Sequence, residues 1–199
     1  MAADGVRTEV QNQQRGTKMN HVMIDLETLG TQPGSVILSI GAVLFDPTKP
    51  VGECLGEEFY VVVNKESSTD CDMTISEDTL AWWMKQSAEA RKVLIDAETG
   101  GETMEGALKA LSKFIPASAK IWSNGANFDQ PLLDVAYDRV CEPLPWKYWN
   151  SRCYRTIVAL HQNEKAIRPP TVCAHNARED AKWQARHMVN IATVLGLNL

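Results

Sequence analysis

An apolar run that ends in two acids, separated by one residue, constrains this 199-residue chain more than any other stretch. Residues 22–28 read VMIDLET, which predicts a β-strand whose side chains alternate between two faces. Asp25 and Glu27 then share one face, and Leu26 points to the other face and into a core. Two carboxylates at the end of a buried strand repel each other and lose hydration, and a divalent cation is the usual compensation. A strand that ends in solvated acids explains this stretch equally well when it is taken alone.

Composition and charge are those of an ordinary folded protein. Hydrophobic residues make up 44% and charged residues 23% of the chain, and its length suits one domain better than two. The net charge of -5 offers no general attraction for a polyanion. However, residues 141–199 contain eight bases and four acids, a net charge of +4 that leaves -9 for the rest. A basic last third beside an acidic site suits a metal-dependent nuclease, and a solvated face explains it nearly as well.

The cysteines and the N-terminus indicate the class of protein. The five cysteines are odd in number and contain no CxxC pair, so neither a disulfide framework nor a zinc knuckle is expected. We therefore expect reduced thiols and a cytoplasmic location. Neither a membrane-spanning run nor a signal peptide is recognised, so no membrane partner is expected. Residues 1–18 are polar and patternless, which predicts a leader that is disordered or not native, followed by one domain over residues 19–199.

Apolar periodicity predicts a chain that mixes strands and helices. Three early strands joined by short turns favour an antiparallel meander, and helices then alternate with a further strand. The predicted strands cover residues 22–28, 36–45, 58–63 and 120–123. The predicted helices cover residues 76–86, 87–96, 102–115, 129–140 and 176–195, and another begins near residue 156. This order predicts a single α/β or α+β domain with a mixed sheet.

A second acidic position follows the strand at residues 120–123. Asp129 opens a predicted helix after a glycine turn, and ligands in α/β sheets lie where strands end and helices begin. Asp129 could therefore face the same crevice as Asp25 and Glu27. A helix cap formed by Asn127 or Asp129 is the simpler explanation of this motif in isolation.

A third cluster lies near the C-terminus. Asn176 and Glu179 form a capping-box pattern, which puts His175 in the preceding loop and Asp180 in the second turn of the helix. Residues five apart on one helix lie on different faces, so His175 can meet Asp180 only from that loop. The other histidines lack such a setting and are expected to be structural or exposed: His21, His161 and His187.

The order of these motifs resembles that of DEDDh 3′→5′ exonucleases of the DnaQ-like group, in the ribonuclease-H-like superfamily. The matching residues are Asp25 and Glu27 in DLET, Asp129 in NGANFD, and His175 with Asp180. The likeness covers about residues 19–192, and the length and the LAWWMKQ stretch resemble small stand-alone exonucleases of phage and bacteria, with ribonuclease T more distant. It implies an α/β, ribonuclease-H-like fold with a mixed five-stranded sheet, an antiparallel meander followed by parallel strands, flanked by helices.

The resemblance also implies a reaction, the release of nucleoside 5′-monophosphates from the 3′ end of DNA or RNA. Asp25, Glu27, Asp129 and Asp180 would hold two Mg²⁺ or Mn²⁺ ions, with Asp25 as the bridge, because oxygen ligands select hard cations. Such a pair, about 3.5–4 Å apart, stabilises the entering and leaving oxygens of a phosphodiester. His175 would take a proton from the attacking water, because an imidazole titrates near neutral pH.

Contacts with the substrate are expected around these acids. Phe128 would stack on a base of any sequence, with core packing as an equal alternative. Of the adjacent Trp82 and Trp83, one is expected in the core and one in the nucleotide groove, and Trp83 is assigned to the substrate. The predicted substrate-binding residues are Thr28, Leu29, Asn124, Phe128 and Trp83. The candidates for phosphate contacts, for each of which a surface role is the alternative, are Arg152, Arg155, Arg178 and Lys182.

The partner is expected to be nucleic acid with a free 3′ end. The phage-like resemblance favours single-stranded DNA, RNA is the alternative, and a homodimer is left open. Residues 151–156 contain no acid before their Arg-Thr pair, where similar exonucleases are expected to have one, which puts secondary substrate contacts in question.

Two other classes of function compete with the exonuclease. The first is a catalytically silent nucleic-acid-binding module on the same fold, which would have no need of four acids and His175 together. The second is a zinc site, whose spacings fit no closed knuckle. Its ligands would be Cys153, Cys173, His161 and His175.

Overall fold

A mixed five-stranded sheet is built around the strand that carries the first two acids. The computed structural model describes residues 19–125, 127–161 and 175–199. The leader predicted at residues 1–18 and the zinc candidate Cys173 lie outside this part of the chain. The strands are β1 (His21–Thr28), β2 (Ile37–Phe45), β3 (Leu55–Val62), β4 (Lys120–Ser123) and β5 (Ser151–Cys153).

The strand order is β3-β2-β1-β4-β5. β1 pairs antiparallel with β2, and β2 pairs antiparallel with β3. β4 runs parallel to β1 on its other side, and β5 runs parallel to β4. The predicted sheet, an antiparallel meander followed by parallel strands, is therefore confirmed.

Seven α-helices and a short 3₁₀ helix are present in the described part of the chain. Several begin at side-chain caps: Ser76 accepts from the Thr79 N–H, Ser87 from the Ala90 N–H and Thr103 from the Gly106 N–H. The α-helices are α1 (Lys65–Asp70), α2 (Glu77–Trp83), α3 (Ala88–Thr99), α4 (Met104–Phe114), α5 (Asp129–Arg139), α6 (Tyr154–Leu160) and α7 (Ala177–Leu195), and the 3₁₀ helix is Tyr148–Asn150. No helix among these residues is long and apolar enough to cross a bilayer.

The alternation of side chains along β1 separates two cores. Val22 and Ile24 belong to the larger core, which includes buried residues of α3, α4 and α5. Met23 faces the other side and packs in a smaller core with residues of α7 such as Ala185. With a period of two, Asp25 and Glu27 share the face of Met23, which is the face that α7 covers.

Gly41 allows α7 to lie close to the sheet. Gly41 pairs with Asp25 across β1 and β2, and a Cβ at Gly41 would lie 2.2 Å from the backbone carbon of Ala177 and the backbone nitrogen of Arg178. Only a residue without a side chain fits under the first turn of α7. The first turn of α7 is thereby held directly over the acids of β1.

Candidate active site

A cavity of about 650 Å³ opens where β1 ends beside the end of β4. Asp25 and Glu27 line it from β1, and Asp180 lines it from α7. Asn124, the residue after β4, also lines it. Three regions that are far apart in the sequence therefore meet at one edge of the sheet.

Asp25 lies at the centre of the acids. Its Oδ1 accepts a hydrogen bond of 2.7 Å from Nε2 of Gln184 on α7. Burial raises the pKa of Asp25 well above its ordinary value, and the nearby carboxylates of Asp129, Glu27 and Asp180 raise it further. The raised pKa means that the site opposes negative charge unless a cation offsets it.

Asp129 begins α5 and reaches across to β1. Its Oδ1 accepts from the Leu26 N–H at 3.2 Å, and its side chain is 1% exposed. Its Oδ2 is buried with no hydrogen-bond partner among the described residues. Burial raises the pKa of Asp129 to about 7, against the effect of backbone hydrogen bonds and of Arg155. The helix-cap alternative is not observed, since the N-cap residue of α5 is Phe128 and no side chain caps the helix. The Asp129 carboxylate bonds instead to β1 and has one oxygen without a partner among the described residues.

The loop and cap predicted before the last helix are confirmed. Asn176 caps α7 by accepting from the Glu179 N–H at 3.2 Å, and His175 precedes it with a φ of 63°. Ligand atoms of Glu27, His175 and Asp180 all lie within 4.8 Å of one another. The turn before the cap brings the imidazole to the carboxylates, which a continuous helix would not allow.

The two tryptophans of α2 are divided between core and surface as predicted, and the exposed ring is that of Trp82 rather than that of the assigned Trp83. Trp83 is 1% exposed, and its Nε1 donates to the Thr28 carbonyl at 2.9 Å, so its ring supports the end of β1. Trp82 is 42% exposed, and its ring meets the His175 ring edge to face at 4.8 Å between centroids. Both rings line the cavity, and Trp82 presents the more exposed one.

The other predicted substrate residues are likewise divided between the cavity and the core. Thr28 and Phe128 line the cavity, and Phe128 also packs partly against the core. Leu29 is 2% exposed and belongs to the core. Its N–H donates to the Val36 carbonyl as the chain turns away from β1, which carries the side chain inward. The placement of Leu29 does not fit the predicted contact with the terminal nucleotide.

The four predicted phosphate contacts form two pairs. Arg178 and Lys182 form salt bridges with Glu58 and Glu179, so their charges are largely compensated. Arg152 and Arg155 instead donate to backbone carbonyls. Neither of these two guanidinium groups forms a salt bridge within the described part of the chain.

Residues outside the predicted site also line the cavity, among them Gln184, Asp78 and Trp183. Gln184 follows Asp180 by four residues, so a search for polar residues on the same face of the helix would have found it. Asp78, in the first turn of α2, adds an acid to the cavity wall, and Trp183 lines the cavity from α7. Neither Asp78 nor Trp183 belongs to a sequence motif that points to a site.

The donor set suits a hard divalent cation. The observations that test the fit are the partnerless Oδ2 of Asp129, the raised pKa of Asp25 and the clustered ligand atoms of Glu27, His175 and Asp180. Carboxylate oxygens are the ligands of Mg²⁺ and Mn²⁺, whereas zinc sites favour cysteine and histidine. The zinc alternative requires Cys173, which the structure does not describe.

Comparison with known proteins places this geometry in context. The chain is 27% identical over 161 residues to an exodeoxyribonuclease of Enterobacteria phage T4, which covers 67% of the chain and 68% of that protein. A solved structure of exonuclease X in complex with 5′ overhanging duplex DNA matches with a TM-score of 0.56 and 16% identity, over 89% of this chain and 94% of that one. The nuclease domain of 3′hExo, a DEDDh family member bound to rAMP, matches with a TM-score of 0.54 and 12% identity, over 91% and 94% of the two chains.

These structural likenesses show the fold, which is ribonuclease-H-like as the resemblance implied. The family model described as the 3′-5′ exoribonuclease Rv2179c-like domain matches residues 20–192, which is most of the chain. The chain therefore belongs to the Rv2179c-like family of 3′→5′ exonucleases.

Proposed function

We propose that this exonuclease removes nucleotides from the 3′ end of single-stranded DNA with two Mg²⁺ or Mn²⁺ ions and releases nucleoside 5′-monophosphates. The observation that carries the proposal is the meeting of β1, the start of α5 and the start of α7 at one cavity. Asp25, Glu27, His175 and Asp180 line that cavity, and Asp129 bonds to the backbone between the first two. A silent binding module would have no reason to bury so many acids together.

Four carboxylates would hold the ions: Asp25, Glu27, Asp129 and Asp180. Pairs of carboxylates about 4 Å apart repel by roughly 4 kcal/mol at an effective dielectric of 20, so the folded site favours cations strongly. When bound, the cations supply positive charge to the phosphodiester and its leaving oxygen. Asp25 would be the central ligand of this set, because the charges of Asp129, Glu27 and Asp180 each raise its pKa.

His175 is the proposed general base. Its ring is held edge to face by Trp82, at 4.8 Å between centroids, and lies beside Glu27 and Asp180. In this position the imidazole can take the proton of a water that attacks the terminal phosphodiester. The bond from phosphorus to the 3′ oxygen of the preceding nucleotide breaks, so the released nucleotide keeps a 5′ phosphate.

The choice of DNA follows the phage relative, which is named an exodeoxyribonuclease. RNA is the second candidate, because the matching family is described as exoribonuclease-like. Thr28, Asn124 and Phe128 line the cavity around the proposed position of the terminal nucleotide, and Trp82 adds a ring with an exposed face. We also propose that residues 19–199 form one catalytic domain, and a homodimer of that domain stays a prediction.

The test is a digest of 5′-labelled single-stranded DNA, duplex DNA and RNA of matched sequence. We expect a ladder that shortens from the 3′ end with Mg²⁺ or Mn²⁺ and is abolished by EDTA, fastest on single-stranded DNA. Asp129→Asn should abolish the ladder, whereas Asp134→Asn, an exposed acid on the same helix, should not. Binding without cleavage under either metal would identify a silent module, and a faster RNA ladder would make RNA the substrate.

A further inference from the structure

A second pair of aromatic rings is exposed away from the cavity. Tyr148 is 81% and Trp149 is 59% exposed, and their rings meet edge to face with centroids 4.9 Å apart. Their neighbour Trp146 is buried against Tyr137, which anchors the segment. Burying such rings would ordinarily be favourable, so a solvent-facing pair on an anchored segment suggests a partner.

The segment that carries this pair is positively charged. Residues 143–161 contain Lys147, Arg152 and Arg155 and no acid, in a chain whose net charge is -5. Arg152 donates from Nη1 to the Trp149 carbonyl at 2.6 Å and to the Ser151 carbonyl at 3.0 Å, which braces the 3₁₀ helix. The Arg152 guanidinium group thus interacts with carbonyl dipoles, and no salt bridge with a described acid neutralises its charge.

The same segment connects directly to the cavity wall. β5 follows the 3₁₀ helix and is the last strand on its side of the sheet, with Cys153 beside Ser123 of β4. Arg155 donates from Nη2 to the carbonyl of Asn124, which lines the cavity. Trp149 and Arg155 are six residues apart, a span of at most about 22 Å. A flexible strand that leaves the cavity past Arg155 can therefore reach the exposed rings.

We propose that Lys147, Tyr148, Trp149, Arg152 and Arg155, here called the aromatic–basic surface, bind the substrate strand upstream of the nucleotide being removed. This inference rests on the proposed function, because the strand it binds is the one whose 3′ end enters the cavity. Exposed aromatic rings stack on bases of any sequence, and cations along the path contact phosphates. The surface would give the enzyme a preference for longer strands over the shortest substrates.

A single strand fits this surface better than a second copy of the chain. A two-fold interface centred on the aromatic–basic surface would bring its positive charges against themselves, with no acid in the segment to compensate. A polyanion meets the same charges with the opposite sign. The perpendicular arrangement of the two rings also leaves faces open for stacking.

The experiment compares a dinucleotide with a single-stranded 12-mer of DNA. In Tyr148→Ala/Trp149→Ala we expect the Kd for the 12-mer, measured by fluorescence anisotropy in EDTA, to rise about tenfold or more. The ratio of kcat/KM for the 12-mer to that for the dinucleotide should fall by a similar factor. Tyr148→Phe/Trp149→Phe, which keeps the rings, should restore both values. Lys147→Ala should lower the salt dependence of log Kd by about 0.7 if one phosphate contact is lost.

Matched controls lie on α3 and α4, outside the aromatic–basic surface. Ile95→Ala removes an equally exposed apolar side chain from α3, and Lys113→Ala removes an exposed cation from α4, and neither should change the length preference. An unchanged Kd and an unchanged length ratio in the double alanine variant would overturn the proposal. The proposal would also be overturned if the wild type were a dimer, the double alanine variant were a monomer, and strand length had no effect on either protein. A wild type that degrades no oligonucleotide would instead refute the proposed function, while anisotropy would still decide the role of the surface.

Discussion

Gln184 shows how much a single neutral side chain can contribute to a cluster of charges. It is 3% exposed, its Nε2 donates to Asp25, and its Oε1 has no partner in the described part of the chain. The amide therefore fixes one oxygen of Asp25 and directs the carboxylate. Neutral donors of this kind orient metal-binding carboxylates without adding charge.

Replacing Gln184 by leucine or methionine should weaken the site without unfolding it. Both side chains have nearly the same volume but cannot donate to Asp25, and losing such a supporting contact typically costs 10–100-fold in metal affinity or activity. We expect Mn²⁺ affinity, measured by calorimetry, and kcat to fall within that range while KM changes little. Asn190→Leu, an exposed amide on the same helix, is the control and should behave like wild type. An unchanged Mn²⁺ affinity in both Gln184 variants would show that the hydrogen bond does not position Asp25.

At the scale of elements, the contact between α7 and β2 determines the position of the site residues that α7 carries. α7 carries Asp180 and Gln184, and its cap is preceded by His175, while β2 supplies only Gly41 at the point of closest approach. The position of α7 over the sheet thus depends on a residue with no side chain. The geometry of the cavity is set by helix–sheet packing as much as by the acids.

Gly41→Ala should therefore move α7 and damage the site from a distance. The new Cβ would lie 2.2 Å from backbone atoms of Ala177 and Arg178, which cannot rotate away as a side chain would. Overpacking of this kind costs about 1–3 kcal/mol or more, and we expect that loss in urea unfolding together with reduced nuclease activity. Gly52→Ala is the matched control, because a Cβ there meets nothing within 4 Å. Wild-type stability and activity in Gly41→Ala would contradict the predicted contact.

Sequence patterns predict the elements that are long enough to show a period. β1 to β4 and the longer helices have recognisable apolar runs, whereas β5 has three residues and α1 has six, too few for any alternation to be read. The shared face of Asp25 and Glu27 follows from the two-residue period of a strand. The spacing of Trp82 and Trp83 does not predict which of the two rings is exposed, because it gives only their relative direction. The contact between Gln184 and Asp25 likewise depends on how α7 crosses the sheet.

The whole molecule carries a net negative charge, the same sign as the phosphate backbone of nucleic acid. With a net charge of -5 and five acids in or beside one cavity, the protein without metal repels a phosphate backbone at the place where it must bind. Cations in the site and the positive charge of the aromatic–basic surface would reverse this locally. Stability, metal binding and pH are consequently linked in this protein.

That linkage predicts how the thermal stability responds to Mn²⁺ and pH. Because the folded pKa of Asp129, about 7, exceeds its ordinary 3.8, its contribution to the metal-free protein is fully present below pH 3.8 and is lost as pH rises through 7. Mn²⁺ requires the ionised acid, so at 100-fold excess over Kd it should raise Tm by about 5–10 °C at pH 8 and by much less at pH 5.5. His21, whose pKa is lowered to about 4, acts in the opposite direction but equally in Asp129→Asn, so comparison with that variant cancels its effect.

By calorimetry without metal, Asp129→Asn should exceed wild type in Tm at pH 8 and approach it at acidic pH. An equal Mn²⁺ shift at both pH values, or a metal-free difference between the two proteins that does not change with pH, would mean that Asp129 is already ionised in the folded protein.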